Sequence, residues 1–416
     1  MKEVAMEMSD RQVIEFADAG MNILDQLARE GAQKMLKYAL EAEVCEYISQ
    51  FKKVVDEDEQ RLVVRNGYAK PRYVATGAGQ LQVRAPRVND KRDGKQFTSA
   101  ILPPYMRKSP TLEKLIPCLY LKGISTGQFK GALEAILGPN APGLSAATIS
   151  NMMKFWQDEY KEWNERSLEG KKYVYIWADG VYLNIRLGDT DKVCLLVIMG
   201  TTEDGKKELI GLHSGYRESK ESWSDLLKSF KKRGLTEAPK LAVADGALGF
   251  WSAIAEQYPE TKHQRCWVHK TANILDKMPK KTQERAKPMI HNIFLAETKK
   301  DAEESFNEFI VEFQVKYPKA CDCLIKDKEE LFAFFDFPAE HWVHIRTSNP
   351  IESTFSTVRH RTKRTKGHGS RAAGEAMAWK LCLEAEKNWR RISGYKLIIK
   401  IYQGVIFKDG IEQDAA

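Results

Sequence analysis

Between residues 10 and 53 apolar side chains recur every three or four positions. Leu36, Leu40, Val44, Tyr47, Ile48 and Phe51 fall on one face, which predicts a long amphipathic helix. After the acidic stretch 56–59, alternating runs over 71–77 and 80–86 flank Gly77-Ala78-Gly79, the pattern of a hairpin. Helical spacing returns over 109–168. One helix runs from Pro110 to Leu121 and stops at Gly123, a second runs from a cap at Ser125 to near Gly138, and a third runs from a cap at Ser145 with Ile149, Met152, Met153 and Trp156. Three short helices in this order are compatible with a helix-turn-helix. They are equally compatible with a packing region that touches no nucleic acid, because the intervening turn is long.

From 171 the pattern changes again. Strands over 173–186 and 192–202 are joined by Gly188-Asp189-Thr190-Asp191, and Glu203-Asp204-Gly205 turns the second into a third strand, 207–215. An amphipathic helix over 222–232 (Trp223, Leu226, Leu227, Phe230) precedes a short buried strand, 240–244, and a helix, 248–257. A three-strand meander followed by alternating helix and strand is a ribonuclease-H-like α/β pattern. Phe306, Phe309, Ile310 and Phe313 then mark an all-helical insertion, and helices over 348–366 and 371–392 close the core. The expected organisation is a helical region (1–55), a small basic β-rich region (56–108) and a helical, candidate DNA-binding region (109–170). The core follows in two parts (171–278 and 347–400) around the insertion (279–346), with a polar tail at 401–416.

Three acids stand out against this framework. Asp179 interrupts the apolar run Tyr173–Ala178, Asp245 follows Leu241–Ala244, and Glu352 lies in the first turn of a helix that begins Asn349-Pro350-Ile351. Each has a plain structural explanation. Asp-Gly is a common strand exit, and Asn349 followed by Pro350 and Glu352 reads as a capping box with the glutamate at N3. As an ordered set on two strands and a helix, they suit a different purpose. Two Mg²⁺ ions ~3.5–4 Å apart need one shared carboxylate and one further acid each to drive an in-line phosphodiester displacement. Asp179 suits the shared role, with Asp245 and Glu352 completing one ion each. On the last helix Ile351, Phe355 and Val358 form the buried stripe, while Glu352, Ser356, Arg359 and Lys363 follow one another on an adjacent face.

Charge sharpens this reading. The 416-residue chain has a net charge of +8, with 43% hydrophobic and 29% charged residues, an ordinary globular composition with a basic bias. Six Lys/Arg and no acid lie between Arg359 and Arg371, including Arg361, Lys363, Arg364 and Lys366, which suits a phosphate backbone. Arg65, Arg84 and Arg87 are the corresponding candidates in the β-rich region. No signal-peptide pattern opens the chain and no uncharged apolar run approaches ~18 residues, so a cytoplasmic, nucleoid-associated protein without a membrane span is expected. Seven scattered cysteines fit reduced thiols. Cys266-Trp-Val-His269 has half of a zinc-site spacing. Cys321 and Cys323 are its only apparent complement, so a buried structural pair is the simpler expectation. His341 and His344 read as packing or surface residues. At this level a strand-transfer enzyme, a nuclease that only hydrolyses and a non-catalytic DNA-binding regulator all remain open.

The motifs themselves narrow the choice. Arg65-Asn-Gly-Tyr68, Val83-Arg-Ala-Pro-Arg87, Asp179-Gly-Val-Tyr182, Asp245-Gly-Ala-Leu-Gly249, Gln264-Arg-Cys-Trp-Val-His-Lys270 and Thr347-Ser-Asn-Pro-Ile-Glu352 together resemble the mutator-type DDE transposases of bacterial insertion sequences, over about residues 30–395. The resemblance implies a ribonuclease-H-like core with a helical insertion, an N-terminal DNA-binding region, and a catalytic triad on Asp179, Asp245 and Glu352. It also implies a basic residue seven positions after the glutamate, here Arg359, and a C-x-x-H pair at Cys266 and His269. The implied activity is Mg²⁺-dependent cleavage at terminal inverted repeats, with Mn²⁺ able to substitute, followed by attack of the freed 3′-hydroxyl on target DNA within a homodimer or larger synaptic assembly. The chain departs from its relatives at Ser353-Thr-Phe-Ser-Thr357, where a more charged stretch is common.

Overall fold

The computed structural model describes residues 2–124, 128–137, 146–185, 192–215, 217–246, 248–364 and 369–413, and the chain divides into two compact units at Ser150/Asn151. In the first, α1 (Lys2–Gln50) is followed by β1 (Val63–Tyr68), β2 (Arg72–Thr76), β3 (Gly79–Val83) and β4 (Pro86–Asp90). β2 and β3 form the expected hairpin, and β1 pairs with β4. Leu40 of α1 packs with Val74, Leu81, Val83 and Leu102, so the face that carries the helical spacing is the face that is buried. α2 (Pro110–Leu121) and α3 (Phe129–Leu137) follow, and α4 (Ala146–Glu165) carries the chain into the second unit. The expected caps Ser125 and Ser145 and the turn 188–191 lie outside the described residues.

The second unit is built on one five-stranded mixed sheet. β5 (Tyr173–Asn184), β6 (Lys192–Thr202) and β7 (Lys207–Gly215) form an antiparallel meander. β8 (Leu241–Ala244) then pairs parallel to β5, and β9 (Lys262–Arg265) parallel to β8, giving the order β7-β6-β5-β8-β9. α5 (Lys220–Lys232) and α6 (Leu248–Gln257) cover one face. Trp223, Leu226, Leu227, Phe230, Phe250 and Ile254 meet Ile176, Ala178, Leu196, Ile198, Ala242 and Ala244 there. Each fully buried side chain of this size stabilises the fold by about 1.5–3 kcal/mol relative to exposure.

β9 was not expected from the sequence. Lys262-His-Gln-Arg has no apolar alternation, and what holds it is a polar seam. Gln264 is 0% exposed, and its amide donates to the carbonyls of Arg265 and Leu331 and accepts the N–H of Phe334. The chain then turns into α7 (Trp267–Leu275) and the helices α8 (Lys280–Leu295), α9 (Lys299–Phe313), α10 (Pro318–Ile325), α11 (Lys328–Phe332) and α12 (Trp342–Ile345). Phe306, Phe309, Phe313, Phe332, Phe334 and Phe335 form their interior. α13 (Asn349–Arg364) packs on β5, and α14 (Arg371–Glu386) on β7.

The segment expected to be a polar tail is ordered differently. After α15 (Ile398–Tyr402), β10 (Phe407–Lys408) and β11 (Ile411–Glu412) make a hairpin whose Gly410 exchanges backbone hydrogen bonds with Phe335 and Ala339. Its apolar anchor, Phe407, is too isolated in sequence to advertise a strand. His341 is buried between the Tyr175 hydroxyl (2.6 Å) and the carbonyl of Gly394 (3.0 Å), a packing role as expected. Replacing Gln264 with alanine leaves the Phe334 amide without its acceptor in a dry seam, while the Leu331 carbonyl keeps only the Trp267 indole N–H. Urea unfolding is expected to show a loss of about 2–4 kcal/mol; a change below about 0.5 kcal/mol would mean the seam does not hold β9.

Candidate active site

The parallel register brings the site together. β5 and β8 pair Ala178 with Ala244, and β8 and β9 pair Ala244 with Arg265. One residue further along each strand, Asp179, Asp245 and Cys266 stand at one level, and the Cys266 N–H donates to the Ala244 carbonyl at 2.9 Å. Alternation along β5 sets Asp179 on the face of Tyr175 and Trp177, away from the core beneath Ile176 and Ala178. β5 continues beyond the acid to Asn184, with Asp179 opposite Val197 in β6, so Asp179-Gly180 is not a strand exit. β8 does end at Ala244, and Asp245 begins the turn into α6.

Asp179 is partly buried, and its Oδ1 accepts the Gly180 N–H at 2.8 Å. Burial, and after it the charge of Asp245, push its carboxyl up to about 7. The backbone of Asp245 is fixed from behind. Its carbonyl accepts from Trp251 Nε1 (2.9 Å) and Arg265 Nη1 (2.6 Å). Arg265 also lies 3.2 Å from Asp327, to which the almost fully buried Lys270 donates at 2.5 Å. A Cβ on Gly246 would come within 2.9 Å of the Arg265 guanidinium.

A fourth acid was missed in the sequence. The Glu218 carboxylate lies over Gly180, where a Cβ would meet its Oε1 at 2.3 Å; burial and then Asp245 push its carboxyl upward. The signal available was slight: a lone acid just ahead of Ser219, the N-cap of α5, reads as loop.

Glu352 arrives from α13. The helix begins at Asn349, one residue earlier than a cap at that position requires, so Ser348 is the cap residue and its carbonyl accepts the amides of Ile351 and Glu352. The expected capping box is thus displaced. The Ser348 hydroxyl instead donates to Glu352 Oε1 at 2.5 Å, and lies 3.1 Å from Cys266 Sγ and 3.3 Å from His269 Nδ1. His269 Nδ1 is 3.7 Å from Glu352 Oε1. The hydrogen bond to Cys266 is the main influence raising His269, to about 9, with Glu352 and Asp245 adding to it against burial. Burial opposes ionisation of Cys266, yet hydrogen bonds from His269 and Ser348 together bring the thiol below its ordinary value. The neighbour of the C-x-x-H pair is therefore Glu352, not Cys321 or Cys323.

The basic candidates separate. On α13, Ser356, Arg359 and Lys363 are exposed, and Arg359 lies over the Phe355 ring at 5.8 Å. Arg361 does not join them. It is 2% exposed, because it lies i+3 from Val358 and i+7 from the buried Thr354, at the edge of the buried stripe. The Arg364 side chain and Lys366 lie outside the described residues. In the first unit Arg84 and Arg87 are exposed, whereas the Arg65 guanidinium is engaged by both oxygens of Glu41, which also accepts from the Tyr68 hydroxyl.

Residues 5–392 match the family model described as Transposase, Mutator family. The chain is 49% identical over 299 residues (72% of this chain, 92% of the relative) to the transposase for insertion sequence element IS6120 of Mycolicibacterium smegmatis. It is 47% identical over 287 residues (67% and 94%) to the transposase for insertion sequence element IST2 of Acidithiobacillus ferrooxidans. A more distant relative, 27% identical over 372 residues (88% and 92%), is the transposase for insertion sequence element IS256 in transposon Tn4001 of Staphylococcus aureus.

The electrostatics of Asp179 set a pH dependence. A carboxyl raised from 3.8 to about 7 on folding binds its proton more tightly in the native state, so this contribution to stability is full below pH ~4 and is lost as pH rises through about 7. In a chelator, Asp179→Asn is expected to be more stable to urea unfolding than the wild type at pH 8, by about 2–4 kcal/mol, with the gain vanishing towards pH 4. A pH-independent difference would refute this coupling.

Proposed function

The chain belongs to the Mutator family of transposases, and on that premise we propose that it is an insertion-sequence transposase that cuts DNA at the element's terminal inverted repeats and joins the freed 3′-hydroxyl to a new phosphodiester. In this reading Asp179, Asp245 and Glu352 are its catalytic acids and hold two Mg²⁺ ions. The observation that carries it is the common level of Asp179 on β5 and Asp245 just past the end of the paired strand β8, with Glu352 brought in by the first turn of α13. The strand order β7-β6-β5-β8-β9, three antiparallel then two parallel, supports a ribonuclease-H-like core, with the helices after α7 as its insertion.

The donor set suits magnesium. Asp179 and Asp245 offer hard carboxylate oxygens, and the charge of one drives the other towards protonation. A divalent cation removes that conflict. When bound, magnesium supplies Lewis acidity for the attacking water or 3′-hydroxyl and neutralises charge on the phosphate. The protein's own contribution is placement. β5 fixes Asp179, the donors from Trp251 and Arg265 fix the backbone at Asp245, and Ser348 and His269 aim one oxygen of Glu352. Arg359 and Lys363, further along α13, hold the DNA backbone. Transposition brings two element ends together, which requires a homodimer or a larger assembly.

Asp179→Asn, Asp245→Asn and Glu352→Gln are each expected to lower cleavage and strand transfer on labelled element ends by at least ~10³-fold while the ends remain bound. Full cleavage by any one of them would overturn the triad. Nicks without joined products from the wild type would make the protein a nuclease, and the absence of Mg²⁺-dependent nicking would make it a regulator. Arg359→Ala is expected to weaken binding uniformly across sequences and to reduce the salt slope by about one. An unchanged slope together with unchanged strand transfer would make Arg359 a surface residue only.

A further inference from the structure

Cys266, His269 and Glu352 each offer one ligand atom, and the three atoms lie within 4.8 Å of one another. Their chemistry differs from that of the carboxylates on β5 and β8. Sulfur, imidazole nitrogen and a single carboxylate oxygen form a borderline-soft set that favours zinc-class ions over magnesium. The spacing of two of these donors is what such an ion requires. Tetrahedral zinc with bonds of about 2.0–2.3 Å keeps its donors roughly 3.3–3.8 Å apart. His269 Nδ1 and Glu352 Oε1 are 3.7 Å apart.

The Ser348 hydroxyl stands beside all three donors. It is 3.1 Å from Cys266 Sγ, 3.3 Å from His269 Nδ1 and 2.5 Å from Glu352 Oε1, so it marks the polar centre of the cluster rather than a ligand position. Its hydrogen bond to Glu352 Oε1 is the contact an ion would replace. The surroundings also suit a thiolate ligand, since the Ser348 backbone N–H donates to Cys266 Sγ at 3.2 Å, the outer-shell support that orients metal-bound sulfur. Cys266 is 1% exposed, while the His269 and Glu352 side chains remain 37% and 29% exposed, which leaves a route in.

We propose that Cys266, His269 and Glu352, with Ser348 beside them, form a site for a zinc-class divalent cation, distinct from the magnesium centre but sharing Glu352 with it. The thiol releases its proton to solvent as it ligates. An ion seated there withdraws Glu352 Oε1 from the magnesium centre, so occupancy inhibits DNA cleavage; this consequence, unlike the site itself, rests on the function proposed above.

Cobalt(II) is the probe. Titrated into the full-length, metal-free protein it is expected to give a near-ultraviolet thiolate-to-cobalt charge-transfer band that saturates at one equivalent. Zn²⁺ should bleach the band and an excess of Mg²⁺ should leave it. Cys266→Ser is expected to abolish the band, and Glu352→Gln and His269→Asn each to weaken Co²⁺ binding by about tenfold or more, with circular dichroism confirming the fold of each variant. No band in the wild type, or a band that survives Cys266→Ser, overturns the site. Equimolar Zn²⁺ should suppress Mg²⁺-dependent cleavage until a chelator is added, and unaffected cleavage at full occupancy overturns the inhibition. A protein that shows the band yet never cleaves DNA overturns the proposed function and keeps the site; one that cleaves without the band does the reverse.

Discussion

A carboxylate in the middle of a central strand has to be tolerated by everything around it, and Asp179 imposes that condition on the second unit. Its neighbours on both sides of the chain are wholly buried, from Tyr173 to Ala178 and again at Val181. Water cannot solvate it well, and Asp245 at the same level of the next strand repels it. The surrounding sheet must therefore be stable enough to hold a local conflict in place. The packed face formed by α5 and α6 contributes to that stability, and the opposite face, packed around Tyr175 and Trp177, carries the acids beside His269 and the first turn of α13. A conflict of this kind is relieved when Asp179 takes up a proton, which is why burial and Asp245 raise its carboxyl.

Much of this was legible in the sequence because it depends on periodicity. The meander, α5, β8 and α6 announce themselves through apolar spacing, and α2 falls on the predicted residues from Pro110 to Leu121. Ile351, Phe355 and Val358 gave the buried stripe of α13 correctly. What could not be read is held by polar contacts between residues far apart in the chain. β9 depends on Gln264 reaching Leu331 and Phe334, and Glu218 reaches Gly180 across 38 positions. Arg361 shows the complementary limit. A run of cations suggests one exposed face, but a helix rotates each residue by 100°, and this one returns to the buried stripe.

Ser348 illustrates how a shift of one residue changes meaning. A cap at Asn349 makes Glu352 a capping-box partner, occupied with its own helix. With the helix starting at Asn349, the glutamate moves to the next position and its carboxylate turns towards Ser348, His269 and Cys266. The C-x-x-H pair, which has no complement in the linear sequence, finds it in a residue more than eighty positions away.

The contact between Arg265 and Asp327 bears on how such a chain can be rebuilt. Asp327 stands between α10 and α11, yet it neutralises Arg265 and Lys270 at the edge of the sheet, and Arg265 in turn donates to the carbonyl of Asp245. The helices after α7 are consequently not a detachable module. Exchanging them for a loop, or for another protein's helices, would strand two cations in a poorly hydrated place and loosen the backbone that carries an acid of the site, unless the replacement brought a carboxylate back to the same point. Chimeras that respect only the chain boundaries of this segment therefore omit one of its working parts.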